Sequence, residues 1–345
     1  MVVNRLNVRN VRCLKDIVLD PGDINLIYGE NASGKTSLLE AIYLLGRGKS
    51  FRTIAGEGLI QDGRNEATVS ASLDRNGRDV RLGVGLKRGD ATRIRLDGRD
   101  ERSAAVLAEN LPVQVIDPGV HRLVEEGPAI RRRYVDWGVF HVEQGFLDLW
   151  RRYHRTLKQR NAALRGSNPS EIASWNQKLV EYGELISQAR LRYINAIGPF
   201  VELFCQSLLA SPVELKYRQG WSEGKELAVA LDESLARDRK TGTTYPGPHR
   251  ADLTISLASR AARGRVSRGQ QKLLAASLVL GQLQHLRMER DIRSVLLLDD
   301  VAAELDGSHL ARFIEAVCSI DLQLFVTTLD RDSIPVSHLS KLFHV

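Results

Sequence analysis

An apolar run from Ile24 to Tyr28 leads directly into Gly29-Glu30-Asn31-Ala32-Ser33-Gly34-Lys35-Thr36, after which Leu38, Leu39, Ile42, Tyr43, Leu44 and Leu45 recur at helical spacing. A G-x-x-x-x-G-K-[ST] pattern in that setting confines the chain to folds in which a buried strand hands a glycine-rich turn to a helix N-terminus. The glycines let backbone N–H groups wrap a phosphate chain, and the helix dipole adds positive potential. Lys35 then reaches the β and γ phosphates, and Thr36 offers its hydroxyl to Mg²⁺. All eight residues are expected to hold a nucleoside triphosphate.

The complement of this loop lies far downstream. Val295-Leu296-Leu297-Leu298, closed by Asp299-Asp300, reads as a buried parallel strand that carries a carboxylate to its C-terminal edge, where open α/β sheets bind ligands. Asp299 would hold Mg²⁺, directly or through water, and Asp300 would orient the attacking water or accept its proton. Read alone, the same segment is a charged turn after a core strand.

Around and between the two lie several kinds of segment. Val3, Leu6, Val8 and Val11, then Ile17 to Leu19, predict two strands, with Pro21-Gly22-Asp23 as a turn. From Ala67 to Leu96 short alternating stretches separated by Asn76-Gly77, Arg88-Gly89 and Asp97-Gly98 predict antiparallel hairpins. A helix near Ser103 to Glu109 precedes a strand over Pro112 to Ile116, and Asp117-Pro118-Gly119 marks a boundary. From Val120 to Leu209 the pattern is helical apart from Gly166-Ser167-Asn168-Pro169, which predicts two antiparallel helices. Strands follow at Val213 to Tyr217 and Leu253 to Leu257. The tail predicts a helix over Ser308 to Cys318, a strand over Leu322 to Thr327 and a final strand at Phe343-His344-Val345, an α/β alternation. The expected organisation is a split lobe, 1–119 with 210–345, interrupted by a helical lobe at 120–209.

Composition narrows the partners. Lys and Arg number 49 against 42 Asp and Glu, a net charge of +7 that attracts polyanions such as nucleic acid or a membrane surface. Clustering favours nucleic acid. Arg131, Arg132, Arg133, Arg151, Arg152, Arg155, Lys158 and Arg160 face three acids in their span, and five basic residues with no acid lie between Arg260 and Lys272. Such runs also occur as solvated helix faces. Cys13, Cys205 and Cys318 form no Cys-x-x-Cys pair, and no apolar run approaches the roughly 18 residues that span a bilayer, so a reducing, cytoplasmic setting without a membrane partner is expected.

Ser267-Arg268-Gly269-Gln270-Gln271-Lys272 opens another helix. Alone it is a good N-cap. In the order phosphate loop, long insertion, hexapeptide, Asp299-Asp300 and Glu304-Leu305-Asp306, it resembles the signature motif of ATP-binding-cassette proteins. That resemblance implies an ATP held between the phosphate loop of one subunit and Ser267, Gly269 and Gln270 of another, with Asp306 in the loop that crosses between them. Gln114 would be the Mg²⁺- and water-contacting glutamine beside the catalytic Lys35, Asp299 and Asp300, although a surface glutamine fits as well. Thr328 stands where many such ATPases carry a histidine, and Asp300 replaces a longer Glu, which implies slow hydrolysis.

The pattern narrows again. Asn10-Val11-Arg12, Gly48-Lys49-Ser50-Phe51-Arg52-Thr53, Gly127-Pro128 with Arg131-Arg132-Arg133 and Asp136-Trp137, Lys158-Gln159-Arg160-Asn161-Ala162-Ala163-Leu164, and Gly247-Pro248-His249-Arg250-Ala251-Asp252 together resemble the RecF family, nearly end to end and in order. The resemblance implies an α/β fold: an ABC-type ATPase head with mixed sheets around a phosphate-loop core and an inserted helical lobe like a truncated SMC coiled coil. It implies ATP and Mg²⁺ as cofactors, an ATP-dependent homodimer, single- and double-stranded DNA as ligand, and weak DNA-dependent ATPase activity. RecR, RecO and, indirectly, RecA are the implied partners. A transporter nucleotide-binding subunit and an ATP-gated nuclease of the same superfamily are the rival readings.

Overall fold

Period-two burial at the N-terminus forms β1 (Val2–Val11), and a register shift between Val3 and Arg5 accounts for the three-residue step from Val3 to Leu6 on the buried face. The computed structural model describes residues 2–52, 56–75, 77–166, 169–303, 305–331 and 340–345. Thr53, Asn76, Ser167, Asn168 and Glu304, singled out above, lie outside the described residues. The chain divides into two units, Met1–Val120 with Arg287–Val345, and His121–Leu286. The first segment of the first unit ends at Val120, just past the Asp117-Pro118-Gly119 turn. The return differs from the sequence boundary, because residues 210–286 group with the helices rather than with the phosphate loop.

After β1 the first unit contains β2 (Leu14–Leu19), β3 (Ile24–Tyr28), α1 (Lys35–Arg47), β4 (Glu66–Arg75), β5 (Arg78–Lys87), β6 (Arg93–Leu96), β7 (Arg99–Glu101), α2 (Ala105–Asn110) and β8 (Val113–Ile116). The second unit carries α3 (Arg122–Glu125), α4 (Pro128–Val142), α5 (Phe146–Arg165), α6 (Pro169–Leu209), β9 (Val213–Arg218), α7 (Leu227–Thr241), β10 (Asp252–Leu257), β11 (Arg260–Ala261) and most of α8 (Arg268–Arg290). The chain then returns through β12 (Val295–Leu298), α9 (Gly307–Cys318), β13 (Gln323–Thr328) and β14 (Lys341–His344).

In the first unit one antiparallel sheet has the order β2-β1-β4-β5-β6-β7, and a parallel sheet has the order β14-β3-β13-β12-β8. Both bury a face against α1. Its Leu38, Leu39, Ile42, Leu44 and Leu45 share one core with Leu6 and Val8 of β1, Val69 of β4, Val113 of β8, Val295 and Leu297 of β12 and Phe325 of β13. At about 2 kcal/mol per fully buried aliphatic side chain, this core fixes the phosphate-loop helix more firmly than helix propensity could.

The second unit departs from the two-helix expectation. Gly127-Pro128 starts α4 with proline in its first turn, and Gly145 in a left-handed conformation (φ 79) separates α4 from α5. The result is three longer helices of 15, 20 and 41 residues. Helix α4 approaches α6 closely: a Cβ on Gly138 would lie 1.9 Å from the Tyr193 hydroxyl, so only glycine fits there. Helix α7 escapes a periodicity reading because only Leu227, Ala230, Leu231 and Asp238 of its 15 residues are buried.

Candidate functional site

The phosphate loop joins β3 to α1. Gly29 (φ 152) and Gly34 (φ 117) adopt backbone conformations that strain any L side chain, and a Cβ on Gly34 would lie 2.8 Å from Leu14 and 3.0 Å from Cys13 Sγ. Ala32 also has positive φ, at 65. Glu30, Asn31 and Ala32 are exposed on the loop, and Lys35 Nζ donates to the carbonyls of Gly29 and Glu30 at 2.7 Å each. Ser33 Oγ is buried with no hydrogen-bond partner among the described residues. A loop that gathers a lysine, a helix N-terminus and an unanswered hydroxyl fits a phosphate chain.

The parallel register brings Asp299 to this loop. Thr36 Oγ1 donates to Asp299 Oδ1 at 3.0 Å, and Thr327 Oγ1 lies 2.9 Å from the same oxygen while accepting the Asp300 N–H at 2.9 Å. Burial raises the Asp299 carboxyl above its ordinary pKa; the threonine hydrogen bonds oppose this, and the charges of Asp117 and Asp300 add to it. The hydroxyl of Thr36 and the carboxylate of Asp299 are oxygen donors of the kind Mg²⁺ takes, so the residues present fit that ion. Asp300 has φ 54, which turns the chain sharply after Asp299. Thr327, one residue before the Thr328 singled out above, is the structural partner that sequence reading missed. Thr328 is buried at the end of β13.

Gln114 is misplaced for the role expected of it. It pairs with Leu296, two residues short of the last registered pair, Ile116 with Leu298. Alternation puts Gln114, Ile116, Leu296 and Leu298 on one face, while Val113, Val115, Val295 and Leu297 face α1. Gln114 therefore lies on the face opposite Asp299, and the position level with Asp299 is Asp117.

The signature segment belongs to the second unit. Ser267 Oγ accepts the Gln270 N–H at 3.3 Å, and Gln270 Oε1 accepts the Ser267 N–H at 3.1 Å, a reciprocal capping box that sets the start of α8. Ser267, Arg268, Gly269 and Gln270 are exposed, and a Cβ on Gly269 would meet nothing within 4 Å among the described residues. Among the described residues nothing in the packing of this subunit demands glycine there. In the first unit, Asp306 caps α9 through Oδ1, which accepts the N–H groups of Ser308 and His309, and its Oδ2 lies 2.6 Å from His309 Nδ1. These bonds, led by the backbone N–H of His309, hold its carboxyl well below the usual range.

The eight basic residues separate by burial into two interior arginines, one half-buried and five exposed residues. Arg131 is buried and paired through two nitrogens with Asp252 at 2.7 and 2.9 Å, and Arg160 is fully buried against Asp238 at 2.8 Å and Thr244 Oγ1 at 2.7 Å. Neither is placed to contact a polyanion. Their grouping with the residues expected to contact DNA is corrected: in a folded helix, neighbours in sequence point to different sides. A third pair, Arg190 with Asp136, belongs to the same scheme, and Arg190 Nη1 donates to the Pro248 carbonyl at 2.6 Å. Arg132 is half-buried and donates to the Ala251 carbonyl. Arg133, Arg151, Arg152, Arg155 and Lys158 are exposed, and the last four share the side of α5 away from buried Tyr153, Thr156 and Leu164. His249 completes the interior. Its Nε2 lies 3.0 Å from the Thr244 carbonyl, which can only accept, so Nε2 carries the proton and Nδ1 accepts from Tyr153 Oη at 2.7 Å. Burial lowers the His249 pKa to about 4.

Among the described residues no helix is long and apolar enough to cross a membrane. A family profile described as RecF/RecN/SMC N terminal domain matches residues 2–345. The chain is 38% identical to the DNA replication and repair protein RecF of Shewanella baltica, over all of this chain and 98% of that protein. It is 39% identical to the protein of the same name from Thioalkalivibrio sulfidiphilus, with the same coverage. A solved structure described as the recombination mediator protein RecF-ATP in the RecFOR pathway superposes with TM-score 0.88 at 27% identity, covering 96% of this chain and 93% of that one. An SMC head bound to the C-terminal winged-helix domain of ScpA shares the fold, with TM-score 0.57 at 15% identity over 97% and 91% of the two chains. With its ABC-type α/β head, helical insertion and full-length identity to these relatives, the chain belongs to the RecF family.

Proposed function

We propose that this chain is a recombination mediator that binds ATP and Mg²⁺ at Gly29–Thr36 and Asp299, pairs with a second copy through that nucleotide, and holds DNA along its helical unit. The observation that carries this reading is the exposed Ser267–Gln270 turn, whose Gly269 leaves open space at a helix N-terminus, as an incoming phosphate from another subunit requires. Asp306, already fixed as the α9 cap, presents the neighbouring turn to that subunit. The stripe Arg151, Arg152, Arg155 and Lys158, with Arg133, supplies sequence-independent contacts to single- or double-stranded DNA, including gap junctions. Slow hydrolysis, with Asp300 ordering water, ends the clamp. RecO and RecR are its partners in recombinase loading, and RecA is reached through them.

The test couples light-scattering mass to DNA binding across salt, with and without ATP. The wild type is expected to double in mass and gain DNA affinity with ATP. Lys35→Arg and Ser267→Arg are each expected to remain monomeric with ATP. A mass and affinity indifferent to ATP would refute the reading.

A further inference from the structure

We propose that Asp117, rather than Gln114, is the residue of β8 that serves the Mg²⁺-nucleotide site, as a positioning residue that holds water of the ion; this rests on the nucleotide reading above. Strand β8 pairs in parallel with β12, ending at Ile116 with Leu298, and the Asp299 N–H continues the ladder to the Ile116 carbonyl at 3.0 Å. The next position on each strand is Asp117 and Asp299. Adjacent strands run about 4.8 Å apart and residues in register share a face, so the two carboxylates emerge side by side.

The turn enforces this arrangement. Pro118 disfavours the helical region for Asp117, so the extended alternation of β8 persists through it. The Asp117 carbonyl then accepts the Val120 N–H at 3.0 Å, closing the turn beyond the strand. Val113 and Val115 pack toward α1 on the same face, and Asp299 on that face meets Thr36 at 3.0 Å. Asp117 is half-buried and near enough for its charge to act on Asp299. Among the described residues no three His, Cys, Asp or Glu side chains converge tightly enough to cage a metal. Asp117 therefore acts from one layer out. Mg²⁺ keeps several waters when bound by one or two protein ligands and phosphates, and a carboxylate beside Asp299 is placed to accept from them.

The charge gives the test its sign. A carboxylate near the phosphate loop repels a metal-free polyphosphate and attracts the metal complex. A fluorescent ATP analogue is titrated into the full-length protein with and without Mg²⁺, for wild type, Asp117→Asn and Gln114→Ala. Asp117→Asn is expected to raise the half-saturating Mg²⁺ concentration about tenfold while metal-free affinity stays the same or tightens. Gln114→Ala is expected to match wild type. A purely structural role for Asp117 would weaken both affinities together and overturn the inference, as would an Asp117→Asn protein with wild-type Mg²⁺ dependence or a Gln114→Ala protein that alone lost it. A wild type whose nucleotide affinity ignores Mg²⁺ would sink the inference along with its metal-site premise. A wild type that binds no nucleotide would instead overturn the functional reading beneath it.

Discussion

Arg160→Met separates structural arginines from the exposed ones proposed to meet DNA. The change removes the bonds from Arg160 to Asn176 Oδ1 at 2.6 Å, Asp238 Oδ2 at 2.8 Å and Thr244 Oγ1 at 2.7 Å. Asp238, itself fully buried, would keep, among the described residues, Ser234 Oγ at 3.2 Å and the Tyr245 N–H at 3.1 Å. Breaking a buried ion pair from one side costs about 3–5 kcal/mol, because a charge is left without its partner in a medium that solvates it poorly. For a chain of this size that loss corresponds to a fall in melting temperature of about 4–7 °C. The second substitution Asp238→Asn removes the stranded charge and is expected to restore about half the loss. Arg155→Ala with Lys158→Ala is expected to leave stability within about 0.5 kcal/mol. The same pair of changes would flatten the dependence of log affinity for DNA on log salt by about 0.9 per lost phosphate contact. Calorimetry and salt-titrated DNA binding read the two effects independently. An Arg160→Met protein with unchanged melting temperature but weakened DNA binding would refute the assignment of Arg160 to the interior.

Three further outcomes follow from the geometry. The His249 pKa lies below its unfolded value, at about 4, so the unfolded chain binds the extra proton first: stability is full above about pH 6.5 and falls by about 3 kcal/mol as pH drops to 4. Urea midpoints from pH 7.5 to 4.5 check this, and His249→Gln is expected to flatten that part of the curve. Thr327→Val leaves the Asp300 N–H without its acceptor and unseats Asp299, so Mg²⁺-dependent nucleotide affinity is expected to fall about tenfold with little change without metal. Gly138→Ala drives a methyl into Tyr193 and is expected to cost at least about 2 kcal/mol in chemical denaturation, part of it recovered by Tyr193→Leu.

Local chemistry made the nucleotide half of the site legible in the sequence. A glycine-rich turn after an apolar run and a carboxylate pair after another are short patterns whose function depends on adjacent backbone, so Gly29–Thr36 and Asp299-Asp300 were readable without a fold. The Ser267–Gln270 turn was legible for the same reason, since a capping box is complete within four residues. The hairpins announced by Arg88-Gly89 and Asp97-Gly98 belong with them, because turn residues dictate backbone angles locally. Gln114 and Asp117 fall on opposite faces of β8, and which of them shares a face with Asp299 is decided by register with β12, a strand some 180 residues away. Thr327 likewise gains its role only when β13 is laid beside β12.

Charge shows the same division. The sequence alone determined that basic residues crowd α4 and α5 and that the chain carries a phosphate-loop motif, a capped Ser267–Gln270 turn and a carboxylate pair closing an apolar strand. Only the tertiary structure decided which arginines face water: Arg131, Arg160 and Arg190 are drawn inward because Asp252, Asp238 and Asp136 are waiting there, each contributed by a segment at least 54 residues away. A cation's exposure depends on whether a long-range partner exists to offset its desolvation, and linear sequence does not specify where that partner lies.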